Sequence, residues 1–251
     1  MAAEHRLYRA IAGGVTAPVG RSSVLALRTR VVDAEVVRAI GRGTTQIVLL
    51  GAGYDGRALR FGGGTVRWFE VDRPATLEDK RRRLAELGCV PGGVTSVALE
   101  LRDRSADEID AALGAAGHDA GAASLFVCDG LLDALTLATT ASLCDALRWR
   151  AATGSVLVAT FSVAPEAGAP VRALRAASAL LHHATDEPRP NEFRPGDPEK
   201  LMVVTGWRVT HTESSAERRL DPGAHTLLLV CEPDPPAACE PGKSLNRSEL
   251  G

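Results

Sequence analysis

The sequence offers little for a redox or metal centre to be built from. Its five cysteines (Cys89, Cys128, Cys144, Cys231 and Cys239) are odd in number and no two form a C-x-x-C pair. Cys128 and Cys231 each end an apolar run, where a small buried hydrophobe belongs. No metal site and no disulfide framework is expected, and a reducing, cytoplasmic setting is the default. No apolar run approaches the length of a membrane span, and no N-terminal signal segment is evident. An excess of positive charge is also missing. Lys plus Arg is 29 against 31 for Asp plus Glu, a net charge of −2. Neither nucleic acid nor an anionic membrane is therefore expected as the main partner. Short basic pieces such as Lys80-Arg81-Arg82-Arg83 read as a solvated helix face. There is no internal repeat.

What is present is length for a full core and a regular alternation of elements. The 251 residues allow one large α/β domain or two small ones. Residues 1–27 read as a loose helix and a loop. From Leu27 the apolar residues Val31, Val32, Val36, Val37 and Ile40 mark a helix that Gly41 and Gly43 stop. Five strands are then expected, at Gln46–Leu50, Thr65–Val71, Thr95–Ala98, Leu125–Cys128 and Ser155–Ala159. Helices are expected between them at Ala75–Leu87, about 105–116, and Thr139–Ala151, the last with Thr139 and Thr140 as caps. This rhythm implies right-handed β-α-β units and a doubly wound, mostly parallel sheet.

The end of the chain differs. Residues 162–205 read as a Pro-rich, substrate-covering insertion with a helix-like piece at Val171–His182 and a short helix after Pro198. Residues 207–212 and 226–231 read as two strands with only a polar linker between them, which pair most simply as an antiparallel hairpin. Seven strands closed in this way form the Rossmann-like pattern of class I methyltransferases. The expectation is a single domain over 1–232 and a disordered tail over 233–251.

The densest chemistry lies where the first strand ends. Gly51-Ala52-Gly53-Tyr54-Asp55-Gly56 matches G-x-G-x-x-G, the spacing of a nucleotide-binding turn, and the match by itself is weak. Asp55 would face the negative charge of a pyrophosphate, so an NAD-type site is disfavoured. S-adenosyl-L-methionine carries a sulfonium and an ammonium instead, and acidic side chains suit it. The second strand ends in Glu70 and Asp72, 19 and 21 residues after Gly51, where ribose hydroxyls are accepted. Glu100 and Asp129 end the third and fourth strands. Acidic strand ends along one edge of a parallel sheet describe a crevice for a diol and a cation.

Together these stretches resemble the leucine carboxyl methyltransferase family, and most nearly its bacterial branch with polyketide carboxyl methyltransferases. The residues that carry the resemblance, in the family's order, are Arg28-Thr29-Arg30-Val31-Val32-Asp33, Val48 to Arg57, Phe69-Glu70-Val71-Asp72-Arg73-Pro74 with Lys80, and Phe126 to Leu132. It covers about 28–160, with a weaker extension near Gly206-Trp207-Arg208-Val209. The resemblance implies S-adenosyl-L-methionine as cofactor and roles residue by residue. Arg30 would pair with the methionine carboxylate, and the Gly51-Ala52-Gly53 backbone with Asp55 would support that end. Asp72 would hold the ribose, Glu100 and Leu101 would contact adenine, and Asp129 would face the methionine ammonium. The chain departs from the family pattern at Glu100, Asp129, Gly56 and Ala134, and its segment before Arg28 is short.

Methyl transfer to oxygen needs in-line positioning above all. A carboxylate acceptor is already ionised at neutral pH and needs no base. The sequence holds no evident base–nucleophile pair and names no catalytic residue. The reading is therefore O-methylation of a small acidic secondary metabolite, the carboxyl group preferred. A phenol or alcohol acceptor would want a base, for which His182 and His183 are candidates, and Arg172, Arg175, Arg189 and Arg194 could bind an acidic acceptor. A pocket used without methylation, and an NAD-dependent oxidoreductase, are the alternatives. The small-molecule acceptor is the expected partner, and a homodimer is allowed.

Overall fold

The computed structural model describes residues 19–89, 92–164, 193–215 and 225–234. In chain order it holds α1 (Val19–Gly41), β1 (Gln46–Leu50), α2 (Arg57–Arg60), β2 (Arg67–Asp72), α3 (Pro74–Glu86), β3 (Val94–Ala98), α4 (Ala106–Ala115), β4 (Ser124–Cys128), a 3-10 turn (Leu132–Ala134), α5 (Leu137–Trp149), β5 (Val156–Val163), α6 (Asp197–Val204), β6 (Trp207–Ser214) and β7 (His225–Pro233). The strands form one sheet in the order β3-β2-β1-β4-β5-β7-β6.

The first five strands are parallel because each is reached by a helical crossover. The central strands β1, β4 and β5 are buried on both faces, so they read as largely apolar runs. Period-two alternation divides the core. Ile47, Leu49, Leu125, Val127, Val156 and Val158 pack with Val32, Val36 and Ala39 of α1 and Ala58 of α2. Val48, Leu50, Phe126, Cys128, Leu157 and Ala159 pack on the other face with Ile109 and Leu113 of α4, Leu143 and Leu147 of α5, and Met202 of α6. A charge placed on either face of β1 or β4 would break the fold.

The chain lays down β2 and β3 on one side of β1 and then returns to place β4 on the other. The loops after β1 and β4 therefore diverge from adjacent strand ends, and a crevice opens between them at this switch point. The register sets Leu50 opposite both Val71 and Cys128, and Asp72 opposite Ala98. Residues 51, 72, 99 and 129 consequently emerge at one edge.

β7 is antiparallel to both β5 and β6, which gives the anticipated hairpin. Some boundaries differ for physical reasons. α1 begins at Val19 rather than Leu27, so Arg28 and Arg30 sit within the helix and not in its first turn. β5 continues past Ala159 to Val163 because β7 is long enough to pair with it from Leu157↔Cys231 to Val163↔His225. The hydroxyl of Thr136, not Thr139 or Thr140, accepts the N–H that caps α5. The proposed Val171–His182 piece, the residues His182, His183, Arg172, Arg175 and Arg189, and the segments 1–18 and 235–251 lie outside the described residues.

Candidate cofactor site

At the end of β1 the backbone turns away with Gly51 at a φ of +63° and Gly53 at +44°. A side chain at residue 51 would be strained and would also meet Leu131, whose Cδ1 lies 2.9 Å from where its Cβ would stand. The loops after β1 and β4 thus touch through a glycine. The turn is fastened to β2: the amide of Ala52 donates to the carbonyl of Val71 at 3.1 Å, and that of Gly53 donates to Asp72 Oδ2 at 2.7 Å. The other Asp72 oxygen, Oδ1, accepts the Arg73 amide at 2.7 Å. A carboxylate has about four acceptor directions, so Asp72 keeps capacity for two more donors.

A charged network closes the side nearer α1. The Arg57 guanidinium, only 5% exposed, donates from Nε to Asp33 at 2.8 Å and from Nη1 to Asp55 Oδ2 at 2.5 Å and Asp129 Oδ2 at 3.2 Å. Arg28 donates from Nε and Nη2 to Asp129 Oδ1 at 2.9 and 2.6 Å, and Arg60 pairs with Asp33 at 2.5 Å. Burial disfavours the Arg57 cation, but Asp55, Asp129 and Asp33 more than reverse this and hold it charged. Three guanidinium groups face three carboxylates. The edge is therefore compensated, and not the simple acidic lining that the strand ends imply. Asp55 in particular spends Oδ1 on the Arg57 amide and Oδ2 on the Arg57 side chain. It shapes the loop, which weakens the case against a pyrophosphate drawn from its charge.

The loop after β4 is pinned to β5. Gly130 has a φ of +76°, and a Cβ there would lie 2.6 Å from Arg28 Nη2, so a side chain would displace that guanidinium. The Gly130 amide donates to Thr160 Oγ1 at 2.7 Å. The Ser162 amide and hydroxyl both donate to Asp133, at 2.8 and 2.7 Å. On the β3 side, the Leu99 amide donates to the Asp72 carbonyl at 2.9 Å, Glu100 is half-buried, and Leu101 is buried.

Of the residues singled out in the sequence, Gly51, Ala52, Gly53, Asp55, Asp72 and Asp129 meet at the switch point, with Glu100 and Leu101 at the exit from β3. Arg30 is exposed on α1 and has no ion pair among the described residues. Two residues along a helix is a turn of about 200°, so Arg28 turns toward Asp129 while Arg30 faces solvent. Arg57 was not anticipated, because a four-residue helix leaves no periodic signal. Lys80, one of the residues carrying the family resemblance, also lay in a run read as a solvated helix face, yet it is 4% exposed and pairs with Glu70 at 2.8 Å. Its position between Leu77 and Leu84 on the buried stripe of α3 was the available signal.

Burial pushes the Cys128 and Cys144 thiols up and Cys231 to about 12, so all three are inert thiols. No group of three His, Cys, Asp or Glu among the described residues could hold a metal ion, and no described helix is long and apolar enough to cross a membrane. A surface groove of about 290 Å³ lined by Glu35, Arg38, Arg42, Thr210, His211 and Glu232 shares no residue with the crevice.

A family model for leucine carboxyl methyltransferases matches residues 7–148, more than half of the 251-residue chain. The chain belongs to the leucine carboxyl methyltransferase family. Among its relatives, a protein of Mycolicibacterium paratuberculosis named for an inferred S-adenosyl-L-methionine-dependent methyltransferase activity is 35% identical over 199 residues, 76% of this chain and 63% of that protein. A similarly named protein of Mycolicibacterium smegmatis is 32% identical over 191 residues, 74% of this chain and 61% of its own length. The chain thus spans about three fifths of these relatives. In fold, this family member resembles a magnesium protoporphyrin IX methyltransferase from Synechocystis PCC 6803 solved with bound SAH, with a TM-score of 0.58, 12% identity, and 91% and 93% of the two chains covered.

Proposed function

We propose that this protein is an S-adenosyl-L-methionine-dependent O-methyltransferase that methylates a carboxyl group of a small acidic metabolite. The observation that carries the reading is Asp72, a strand-end carboxylate with acceptor capacity to spare, facing a glycine turn that it orders itself through the Gly53 amide. Family membership and the names of the relatives supply the cofactor.

The residues present fit that group. Glycines at 51 and 53 leave the turn without side chains at those two positions, Asp72 offers acceptors to a ribose diol, and Leu101 gives an apolar contact for a base. The Arg28–Asp129 pair offers one charge of each sign to an amino-acid end that is itself zwitterionic. When bound, S-adenosyl-L-methionine supplies an electrophilic methyl group on a sulfonium sulfur. The protein's work is to hold the acceptor oxygen in line and exclude water. Asp133, fixed by both donors of Ser162, and Gly130, fixed by Thr160, keep the loop after β4 in one shape beside that position. An ionised carboxylate acceptor has no proton to lose, so no base is required.

The test is incubation with methyl-labelled S-adenosyl-L-methionine and a panel of small carboxylic acids and phenols. A methyl ester releases its label as methanol in mild base, whereas an ether keeps it. Base-labile label on a carboxylic acid is the expected result. Label retained in base would overturn the carboxyl assignment, and absence of transfer to any acceptor would overturn the activity.

A further inference from the structure

The helix α3 holds the glycine turn from outside, and its contacts converge on two residues. Lys80 Nζ donates to the carbonyl of Asp55 at 2.7 Å and pairs with Glu70 at 2.8 Å. Tyr54 donates its hydroxyl to Asp79, and the Arg83 guanidinium lies 5.2 Å from the centre of the Tyr54 ring. The ammonium and the Glu70 carboxylate are each about 5% exposed. Such a pair is costly to bury and adds little to stability when compared with apolar groups of the same volume. Its placement therefore calls for a reason other than holding the core together.

We propose that Lys80 is a positioning residue for the cofactor, fixing the Asp55 carbonyl and with it the shape of the 51–55 turn. The inference rests on the reading of this crevice as the cofactor site. The geometry has a second consequence at β2. Glu70 lies two residues before Asp72, so both carboxylates project from the same face of the strand. Burial raises the Glu70 pKa, Lys80 opposes this, and the charges of Asp55 and Asp72 add to the rise. A cation at position 80 thus lets three carboxylates share one strand end while Asp72 stays available to a ligand.

The test replaces the pair as a unit. Glu70→Met with Lys80→Met fills the same volume without leaving an unpaired charge, so the fold is retained while the Asp55 carbonyl loses its donor. Two readouts are taken on the whole chain: hydrogen exchange of the amides of Gly53, Asp55 and Arg57, which are hydrogen-bonded to Asp72, Ala52 and Asp55, and calorimetric titration with S-adenosylhomocysteine. Exchange at those amides is expected to rise about tenfold with β4 and β5 amides unchanged, and affinity to fall about tenfold. Lys80→Arg, which keeps the charge and a donor, should recover part of both. Unchanged exchange in the turn, unchanged affinity, or exchange that rises equally across the sheet would overturn the assignment. Failure of the unaltered protein to bind would overturn the reading of the crevice instead, because the exchange measurement needs no cofactor.

Discussion

The sheet carries an arginine-centred polar network at each end of its strands. At the amino-terminal edge, Arg150 donates from Nε to His118 Nδ1 at 3.0 Å, from Nη2 to the His118 carbonyl at 2.5 Å, and from Nη1 to Asp110 at 2.8 Å. His118 meets Ser124 Oγ at 3.0 Å, and Gln46 takes the Asp119 amide at 2.8 Å and Arg67 at 2.6 Å. His118 is 3% exposed and Arg150 is 8% exposed. At the carboxyl edge the corresponding groups come from α1, α2 and the loops after β1 and β4. Arg28, Asp55 and Asp129 keep 24, 17 and 14% of their side-chain surface in contact with solvent. Both edges are electrostatically compensated, so compensation does not separate a strut from a site. Spare acceptors next to solvent, on loops that diverge, do.

The comparison breaks first at Arg57. Arg57→Met leaves Asp33, Asp55 and Asp129 facing one another at the carboxyl edge, and a loss of about 3 kcal/mol is expected in denaturant melts. A loss below about 1 kcal/mol would mean that solvent, not Arg57, compensates these carboxylates.

A second break separates two arginines on one helix. Arg28→Ala is expected to weaken S-adenosylhomocysteine binding about tenfold, the loss of one charge-assisted contact. Arg30→Ala should change it less than twofold. The reverse order in a titration would return the crevice to Arg30.

A third break lies at the amino edge and depends on pH. Nδ1 of His118 accepts from Arg150, so the proton sits on Nε2 and the ring is neutral. Burial first, then Arg150 and Arg67, lowers its pKa to about 4. The unfolded chain binds this proton near pH 6.5 and the folded chain does not. Stability from this group is therefore complete above about pH 6.5 and lost as pH falls toward about 4. His118→Gln should flatten the stability profile in that window, and an unchanged slope would show that His118 is not the group responsible.

The sheet was legible in the sequence because its central strands are buried on both faces and its crossovers are regular: Gln46–Leu50 was read with its observed bounds. The glycine turn and the acidic strand ends were legible for the same reason, since topology places strand ends at one edge wherever the helices fall. The side chains that connect these parts were not. Arg28 and Arg30 differ only by their angle around one helix. Arg57 acts from a helix too short to have a period. Lys80 looked like part of a basic run because a charge run and a buried stripe overlap at that one position. Pairings of this kind join residues far apart in the chain, 101 positions in the case of Arg28 and Asp129, and local pattern does not encode them.

The central claim is that the carboxyl edge, and not the amino edge, binds the cofactor. It is tested most directly by one titration of S-adenosylhomocysteine into three proteins: the unaltered chain, Asp72→Asn and His118→Gln. One-to-one binding to the unaltered chain, weakened roughly thirtyfold (about 2 kcal/mol) in Asp72→Asn and unchanged in His118→Gln, is the predicted result. No heat with the unaltered chain, or equal affinity for it and Asp72→Asn, would contradict the account.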